Sequence, residues 1–171
     1  MLSSLKTKNR LPLAGALGTA CLLMFTSASL ALTATGNFTA QITIATSCTV
    51  NSASKLDFGS QGLLNANVDQ TSTIQVQCTN TTPYNIALDA GLGTGATIAN
   101  RLMTSGGNVV NYTLYRDSAR SLVWGNTPLT DTVSGAGTGA TQSYTVYGRV
   151  PSQTTPAPGT YNDTITITVN Y

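Results

Sequence analysis

Apolar and polar residues alternate with a period of two along most of the chain. Residues 74–78 follow this pattern, a turn-forming cluster occupies 80–83, and the pattern resumes over 84–88. Such alternation predicts β-strands with one buried face, because successive side chains of a strand point to opposite sides of the sheet. We expect 74–78 and 84–88 to be neighbouring antiparallel strands.

The same pattern recurs further along the chain, and no window of helical spacing follows the first 31 residues. The apolar faces of these runs are Val110, Tyr112 and Leu114, then Tyr144, Val146 and Val150, and finally Ile165, Ile167, Val169 and Tyr171. Glycine-rich stretches at 91–95, 106–107 and 135–139 separate the runs and are typical of loops. The fold class is therefore predicted to be all-β.

The most regular alternation lies at residues 32–44. The even positions are apolar or small, and they are Leu32, Ala34, Gly36, Phe38, Ala40, Ile42 and Ile44. The odd positions carry Thr, Asn or Gln. As an extended strand, the segment would be about 43 Å long with one apolar side. Burying its three large apolar side chains would contribute roughly 5–9 kcal/mol before ordering costs.

Two interpretations of residues 32–44 remain open from the pattern alone. The segment can be the first strand of the chain's own sandwich. Alternatively, it can leave the domain and complete the sheet of another molecule, since β-strand addition combines main-chain hydrogen bonds with alternate side chains in pockets. Length and periodicity do not decide between them.

The N-terminus has the features of a secretory signal peptide. Three basic residues within 6–10 precede an apolar run at 11–25, and small residues follow at 27–31. The apolar run is shorter than the roughly 20 residues of a membrane span, so a permanent anchor is the weaker interpretation. We expect residues 1–31 to be removed, which leaves 140 residues (171 − 31) for one domain.

The charge balance of the remaining chain excludes one class of partner. After residue 31 there are five Lys and Arg residues against six Asp, a formal charge of −1 (5 − 6). Binding to phosphate backbones needs clustered basic side chains, and this chain has none in sequence. Nucleic-acid binding is therefore not expected.

Two cysteines, Cys48 and Cys78, remain after the predicted cleavage. Exported proteins meet an oxidising compartment, so we expect these two to form one disulfide. In the chain-entropy model this loop closure is worth about 3–4 kcal/mol. Two independent buried thiols are the alternative.

The inventory of reactive side chains is too poor for an enzyme. After residue 31 the chain has no His, no Glu and one Lys, and its six Asp are dispersed near predicted turns, where they cap backbone amides. No metal site and no cofactor are expected. The aromatic residues could line a sugar-binding surface, but their alternating positions favour the core; they are Tyr112, Tyr115, Trp124, Tyr144 and Tyr147.

Several short motifs occur in a characteristic order. They are Cys48, Leu56-Asp57-Phe58-Gly59, Val76-Gln77-Cys78, the segment 111–117 (NYTLYRD), the segment 147–151 (YGRVP) and the segment 159–163 (GTYND). This set resembles the spore coat protein U domain, which is shared by the subunits of archaic, Csu-type chaperone–usher pili. The resemblance covers essentially all of the chain after residue 31.

The resemblance implies an incomplete immunoglobulin-like β-sandwich that is completed by a donated N-terminal strand. Residues 1–31 would be the signal peptide, 32–44 the donor strand and 45–171 the pilin domain. The expected pocket-filling residues of the donor are Phe38, Ala40, Ile42 and Ile44. The groove that binds the donor or the chaperone would be lined by Ile165, Ile167, Val169 and Tyr171. The Cys48–Cys78 disulfide would tie the first core strand to the second.

The same resemblance implies partners and a location. A periplasmic pilus chaperone would fill the groove first, and at the outer-membrane usher its strand would be replaced by that of an identical or related pilin subunit. The product is a fimbria on a Gram-negative surface, used for attachment and biofilm formation. Because no further strand follows Tyr171, the edge beside the groove is expected to be open.

Two alternatives remain. A secreted spore-coat or matrix protein would insert its own N-terminal strand and form no pilus. A tip adhesin would carry an additional binding domain, for which this chain has no room. Major and minor subunits are not distinguished by the sequence.

Overall fold

The computed structural model of the protein describes residues 30–171. The predicted signal peptide, residues 1–31, lies outside the described residues except for its last two positions. The chain divides into one unit that ends at Gln41 and a second unit, Ile42–Tyr171. In the first unit, residues 30–41 belong to no helix or strand and are exposed at every position.

The second unit is built from strands. They are β1 (Cys48–Ala53), β2 (Val68–Cys78), β3 (Pro83–Leu88), β4 (Arg101–Ser105), β5 (Asn108–Tyr115), β6 (Val133–Ala136), β7 (Thr141–Val150) and β8 (Ile167–Asn170). Residues 30–171 contain no helix long and apolar enough to cross a membrane.

The eight strands form two antiparallel sheets that pack face to face. The larger sheet has the order β1-β2-β7-β5-β4, and the smaller has the order β6-β3-β8. Alternate residues of the central strands are buried between them, among them Ile74, Val76, Ile86, Leu114 and Val146. The prediction of an all-β sandwich is confirmed, and the period-two pattern identifies its core faces.

The predicted pairing of residues 74–78 with 84–88 is wrong. β2 pairs with β1 and β7, whereas β3 pairs with β6 and β8 in the other sheet. The connection at 79–82 carries the chain from one sheet to the other, with Thr81 at a φ of 63° and its amide bonded to the Gly137 carbonyl oxygen (2.8 Å). Two strands with one apolar face each can bury those faces by pairing or by stacking, and the pattern is the same in both cases.

The last strand is shorter than predicted. β8 includes only Ile167–Asn170, although half-buried and exposed residues alternate from residue 161 onward. At residue 166 the regular ladder with β3 ends, because the amide of Thr166 donates to the side chain of Asp89 (2.9 Å).

The disulfide between Cys48 and Cys78 is confirmed. The two residues face each other at the start of β1 and the end of β2, and they are 30 positions apart in sequence. β1 lies at an edge of the larger sheet and has β2 as its partner there. The bond therefore fixes one end of an edge strand to the body of the sandwich, which is the role that the resemblance implied.

The aromatic residues divide between the core and the outer face. Tyr112 and Trp124 are buried as predicted, and the Trp124 indole donates to the Ile86 carbonyl oxygen (2.8 Å). Tyr115 and Tyr147 face each other on neighbouring strands and are half-buried. The guanidinium of Arg120 lies 5.8 Å from the centre of the Tyr147 ring. The expectation of a core position is thus met only for part of the set.

A buried arginine organises the end of the sandwich near β3. Arg101 is 0% exposed. Its guanidinium donates to the carbonyl oxygens of Asp89 (2.8 Å), Ile98 (3.0 Å), Leu88 (3.3 Å) and Trp124 (2.8 Å). Burial lowers the pKa of Arg101, and the nearby Asp89 opposes that effect. One side chain thereby satisfies carbonyl groups from three separate loops or strand ends.

We expect replacement of this arginine to be among the most destabilising single changes. Arg101→Met leaves the buried carbonyls without donors, and we expect a loss of about 3–5 kcal/mol in the free energy of unfolding, measured by urea denaturation. Lys55→Met is the matched control, because its side chain is 77% exposed. The control should change stability by no more than about 0.5 kcal/mol. Similar losses in both variants would contradict the role of Arg101.

Candidate strand-binding groove

A groove that residues 30–171 leave unfilled lies between the two sheets. It encloses about 1070 Å³. Ile74, Leu114 and Val146 of the larger sheet form part of its floor, and the segments 53–62 and 155–165 border it. Protein interiors are normally packed with few voids larger than a water molecule. A space of this size, lined by apolar side chains from both sheets, is therefore a candidate binding groove.

The groove is associated with two free strand edges. β1 ends the larger sheet and β8 ends the smaller sheet, so each has one strand partner in the described chain. Val50 of β1 is 42% exposed, and Ile167 and Val169 of β8 are half-buried. Unpaired strand edges present main-chain donors and acceptors to a further strand. The arrangement can therefore bind an extended segment through backbone hydrogen bonds and apolar side chains together.

The structure brings part of the predicted groove set together. Ile165 and Ile167 line the cavity. Val169 lies two residues after Ile167 on the same face of β8, and it packs against the hydrophobic core. Tyr171 follows the end of β8 and is 62% exposed. Two of the four predicted residues thus border the cavity directly.

The predicted donor segment is exposed. Phe38, Ala40, Ile42 and Ile44 all have exposed side chains, and residues 32–44 are in none of the eight strands. Of twelve exposed large apolar residues in the described chain, five lie between residues 30 and 44. Phe38, an aromatic residue, is 93% exposed. Such a concentration of exposed apolar side chains marks a segment that gains free energy when it binds an apolar surface.

Polar contacts fix the chain segment that leads into β8. The Asp163 carboxylate accepts hydrogen bonds from the Tyr112 hydroxyl (2.7 Å) and the Leu92 amide (2.8 Å). Burial raises the pKa of Tyr112, and the bond to Asp163 raises it further. The Asp89 carboxylate accepts from the amides of Gly91 (3.0 Å) and Thr166 (2.9 Å). These two carboxylates attach the border of the groove to the 89–92 loop.

The charge of Asp89 contributes to this attachment. Burial alone would raise the pKa of Asp89, but the hydrogen bonds from Thr166 and Gly91 outweigh burial and hold the pKa below its ordinary value of 3.8. A carboxyl whose pKa is depressed by folding stabilises the fold above its unfolded-state pKa. That contribution is lost as the pH falls through the lower, folded-state pKa.

We expect Asp89→Asn to reduce the acid sensitivity of the fold. The variant should be less stable than the wild type at pH 7, and the difference should shrink as the pH falls below 3.8. Urea denaturation at a series of pH values from about 2 to 7 measures this. Parallel stability profiles for the two proteins would contradict the assignment.

The sequence analysis did not identify all of the residues that shape the groove. Leu56 and Phe58 line it, yet in the sequence they served only as part of a motif. Their alternation was the available signal, but it is too short to distinguish a groove wall from any other loop. Within residues 30–171 there is no group of three or more His, Cys, Asp or Glu side chains that could hold a metal ion.

The chain is similar to a known protein family and to one of its characterised members. The Spore Coat Protein U domain model matches residues 34–168. Protein U of Myxococcus xanthus is 31% identical over 167 residues, which covers 89% of this chain and 92% of that protein.

Two solved structures are also similar. One is a chain of the CsuC-CsuE chaperone-tip adhesion subunit pre-assembly complex from archaic chaperone-usher Csu pili of Acinetobacter baumannii, with 25% identity and a TM-score of 0.55. That match covers 75% of this chain, which spans only 40% of the length of that one. The other, a chain of a chaperone-usher pilus, has 12% identity and a TM-score of 0.47, with 81% and 96% of the two chains covered. Together with the two sheets, the free edges and the open groove, the first likeness confirms an incomplete immunoglobulin-like sandwich.

Proposed function

Because the chain belongs to the Spore Coat Protein U domain family, we propose that it is a structural subunit of a chaperone–usher pilus that polymerises by donor-strand exchange. The role is structural rather than catalytic. The observation that carries this proposal is the apolar groove of about 1070 Å³ beside the free edge of β8. In this proposal the groove is covered by a strand from another molecule.

The donor in this proposal is the segment 32–44. Its apolar even-numbered side chains would enter the groove, with Phe38, Ala40, Ile42 and Ile44 as the pocket-filling residues. Residues 32–44 belong to none of the strands of the described chain, and this supports the proposal that the segment is available to a neighbouring subunit. On the acceptor side, Ile165, Ile167, Val169 and Tyr171 would contact the incoming strand.

The partners follow from the same proposal. A periplasmic chaperone would cover the groove after export, an outer-membrane usher would catalyse exchange, and identical or related subunits would extend the fibre. The structural likeness to a chain of a chaperone and tip-subunit complex supports this assignment. The protein would then be located in a fimbria at the surface of a Gram-negative bacterium, and the fibre would serve attachment and biofilm formation.

A second candidate is a secreted coat or matrix protein. The match to Protein U, which covers 92% of that protein, favours it. In this case residues 32–44 would enter the groove of their own molecule. The two candidates use the same groove and the same segment, so they differ in which molecule supplies the strand.

The first test removes the donor segment. We expect a variant lacking residues 32–44 to be recovered in a one-to-one complex with the co-expressed chaperone, because the groove lies within residues 53–167. Electron microscopy of cells that carry the chaperone and the usher should show no long fibres of this variant. Long surface fibres built from the truncated protein would contradict strand donation.

The second test places a charge in the donor. Ile42→Asp would bring an unpaired carboxylate into an apolar pocket, which costs several kcal/mol, whereas Thr43→Asp changes the neighbouring polar position and serves as the matched control. We expect fibres of Ile42→Asp to dissociate at clearly lower guanidinium concentrations than wild-type fibres, and fibres of Thr43→Asp to behave like the wild type. Equal resistance of all three fibres would exclude Ile42 as a pocket residue.

A further inference from the structure

The loop between β1 and β2 borders the groove without being bonded to the sheets. We call residues 55–63 the strap. Its hydrogen bonds in the described chain are internal: Lys55 Nζ to the Asp57 carboxylate (2.8 Å), the Gly59 amide to the same carboxylate (2.9 Å), and Gln61 Nε2 to the Phe58 carbonyl oxygen (2.7 Å). The first hydrogen bonds to the rest of the domain are made by the flanking residues Ser54 and Leu64.

Two apolar side chains hold the strap in place. Leu56 and Phe58 are half-buried and pack against the core cluster. Both lie over Gly148 of β7, where an added Cβ would meet Leu56 Cδ2 at 2.6 Å and Phe58 Cζ at 3.0 Å. The Phe58 ring also packs edge-on against Tyr112, with ring centres 6.3 Å apart. Gly148 thus provides a depression in the sheet that receives the two side chains.

The strap contains two glycines, Gly59 and Gly62, and glycine restricts the backbone less than any other residue. Gly59 has a φ of +71°, a conformation that side chains rarely adopt, and an added Cβ at Gly62 would meet nothing within 4 Å. Loops with few hydrogen bonds to the rest of the fold open at low free-energy cost. Here opening exposes two half-buried side chains and breaks none of the ladder hydrogen bonds of either sheet.

We propose that the strap is a displaceable occupant of the groove. Leu56 and Phe58 both line the cavity, and in this proposal they hold contacts with its floor that a bound strand would otherwise make. An incoming apolar strand takes over their contacts with the floor, and the strap moves out about Gly59 and Gly62. The proposal rests on the proposed function, since it assumes that the groove binds a strand. In the free subunit, Leu56 and Phe58 would occupy part of the binding surface, so that an incoming strand must compete with these two side chains for it.

The first test weakens the strap and measures strand binding. The probe is a fluorescent peptide of residues 32–44, titrated into the full chain after signal removal. We expect Phe58→Ala to bind it roughly three- to tenfold more tightly than the wild type, because the competing occupant is lost. Gly148→Ala should act in the same direction, since its methyl group displaces both anchors. The control is Leu129→Ala, at a side chain that is 82% exposed, and it should leave the affinity unchanged.

Two other outcomes of this titration would overturn the proposal. Weaker or unchanged binding in both Phe58→Ala and Gly148→Ala would show that the strap is a fixed wall, and it would overturn the proposal. Absence of peptide binding by the wild type and by both variants would overturn the strap proposal, and it would also contradict a groove that is open to a strand from another molecule.

A second measurement does not depend on mutation. In the free protein we expect nuclear Overhauser contacts between the rings of Phe58 and Tyr112, and we expect saturation with the 32–44 peptide to abolish them. Contacts that persist in the bound state would overturn displacement of the strap while leaving the proposed function intact.

Discussion

An apolar interior that the described strands do not cover is the constraint on which the rest of this structure depends. The two sheets enclose about 1070 Å³ of unfilled space, and the edges of β1 and β8 beside it lack a second strand partner in the described chain. Hydrophobic burial and main-chain hydrogen bonding both favour filling this space with an extended apolar segment. Around this space the described chain is held together by interactions of other kinds, which form a frame.

Several interactions build that frame. The disulfide fixes the start of β1 to the end of β2, and Arg101 satisfies four carbonyl oxygens at the far end of β3. Asp89 and Asp163 attach the segment before β8 to the 89–92 loop. Of these residues, Asp163 lines the groove, whereas Cys48, Cys78, Asp89 and Arg101 are not among its lining residues. The frame is therefore made of covalent and polar contacts that lie mostly outside the groove lining.

The sequence predicts those features that a single strand determines and misses those that depend on where strands meet. Alternation identified the buried faces of β2, β5 and β7, since burial is encoded residue by residue. It assigned β2 and β3 to one sheet, because stacked and paired strands have the same pattern. The role of Arg101 was not foreseen, since its partners are carbonyl groups, which every residue possesses and no sequence pattern distinguishes. For the groove, two of the four predicted lining residues border the cavity, while Leu56 and Phe58 were recognised only as a motif.

The chemistry of the proposed donor segment limits how specificity could arise. Residues 32–44 have apolar or small side chains at even positions and Thr, Asn or Gln at odd positions, a pattern shared by amphipathic β-strands in general. Main-chain hydrogen bonds along β8 would be the same for any such strand. Discrimination among strands must therefore come from the shape of the groove and from what an incoming strand has to displace. Leu56 and Phe58 pack over Gly148 without hydrogen bonds from their loop to the sheets. In the proposed displacement of this loop, a strand would bind only as well as it replaces the contacts of these two side chains.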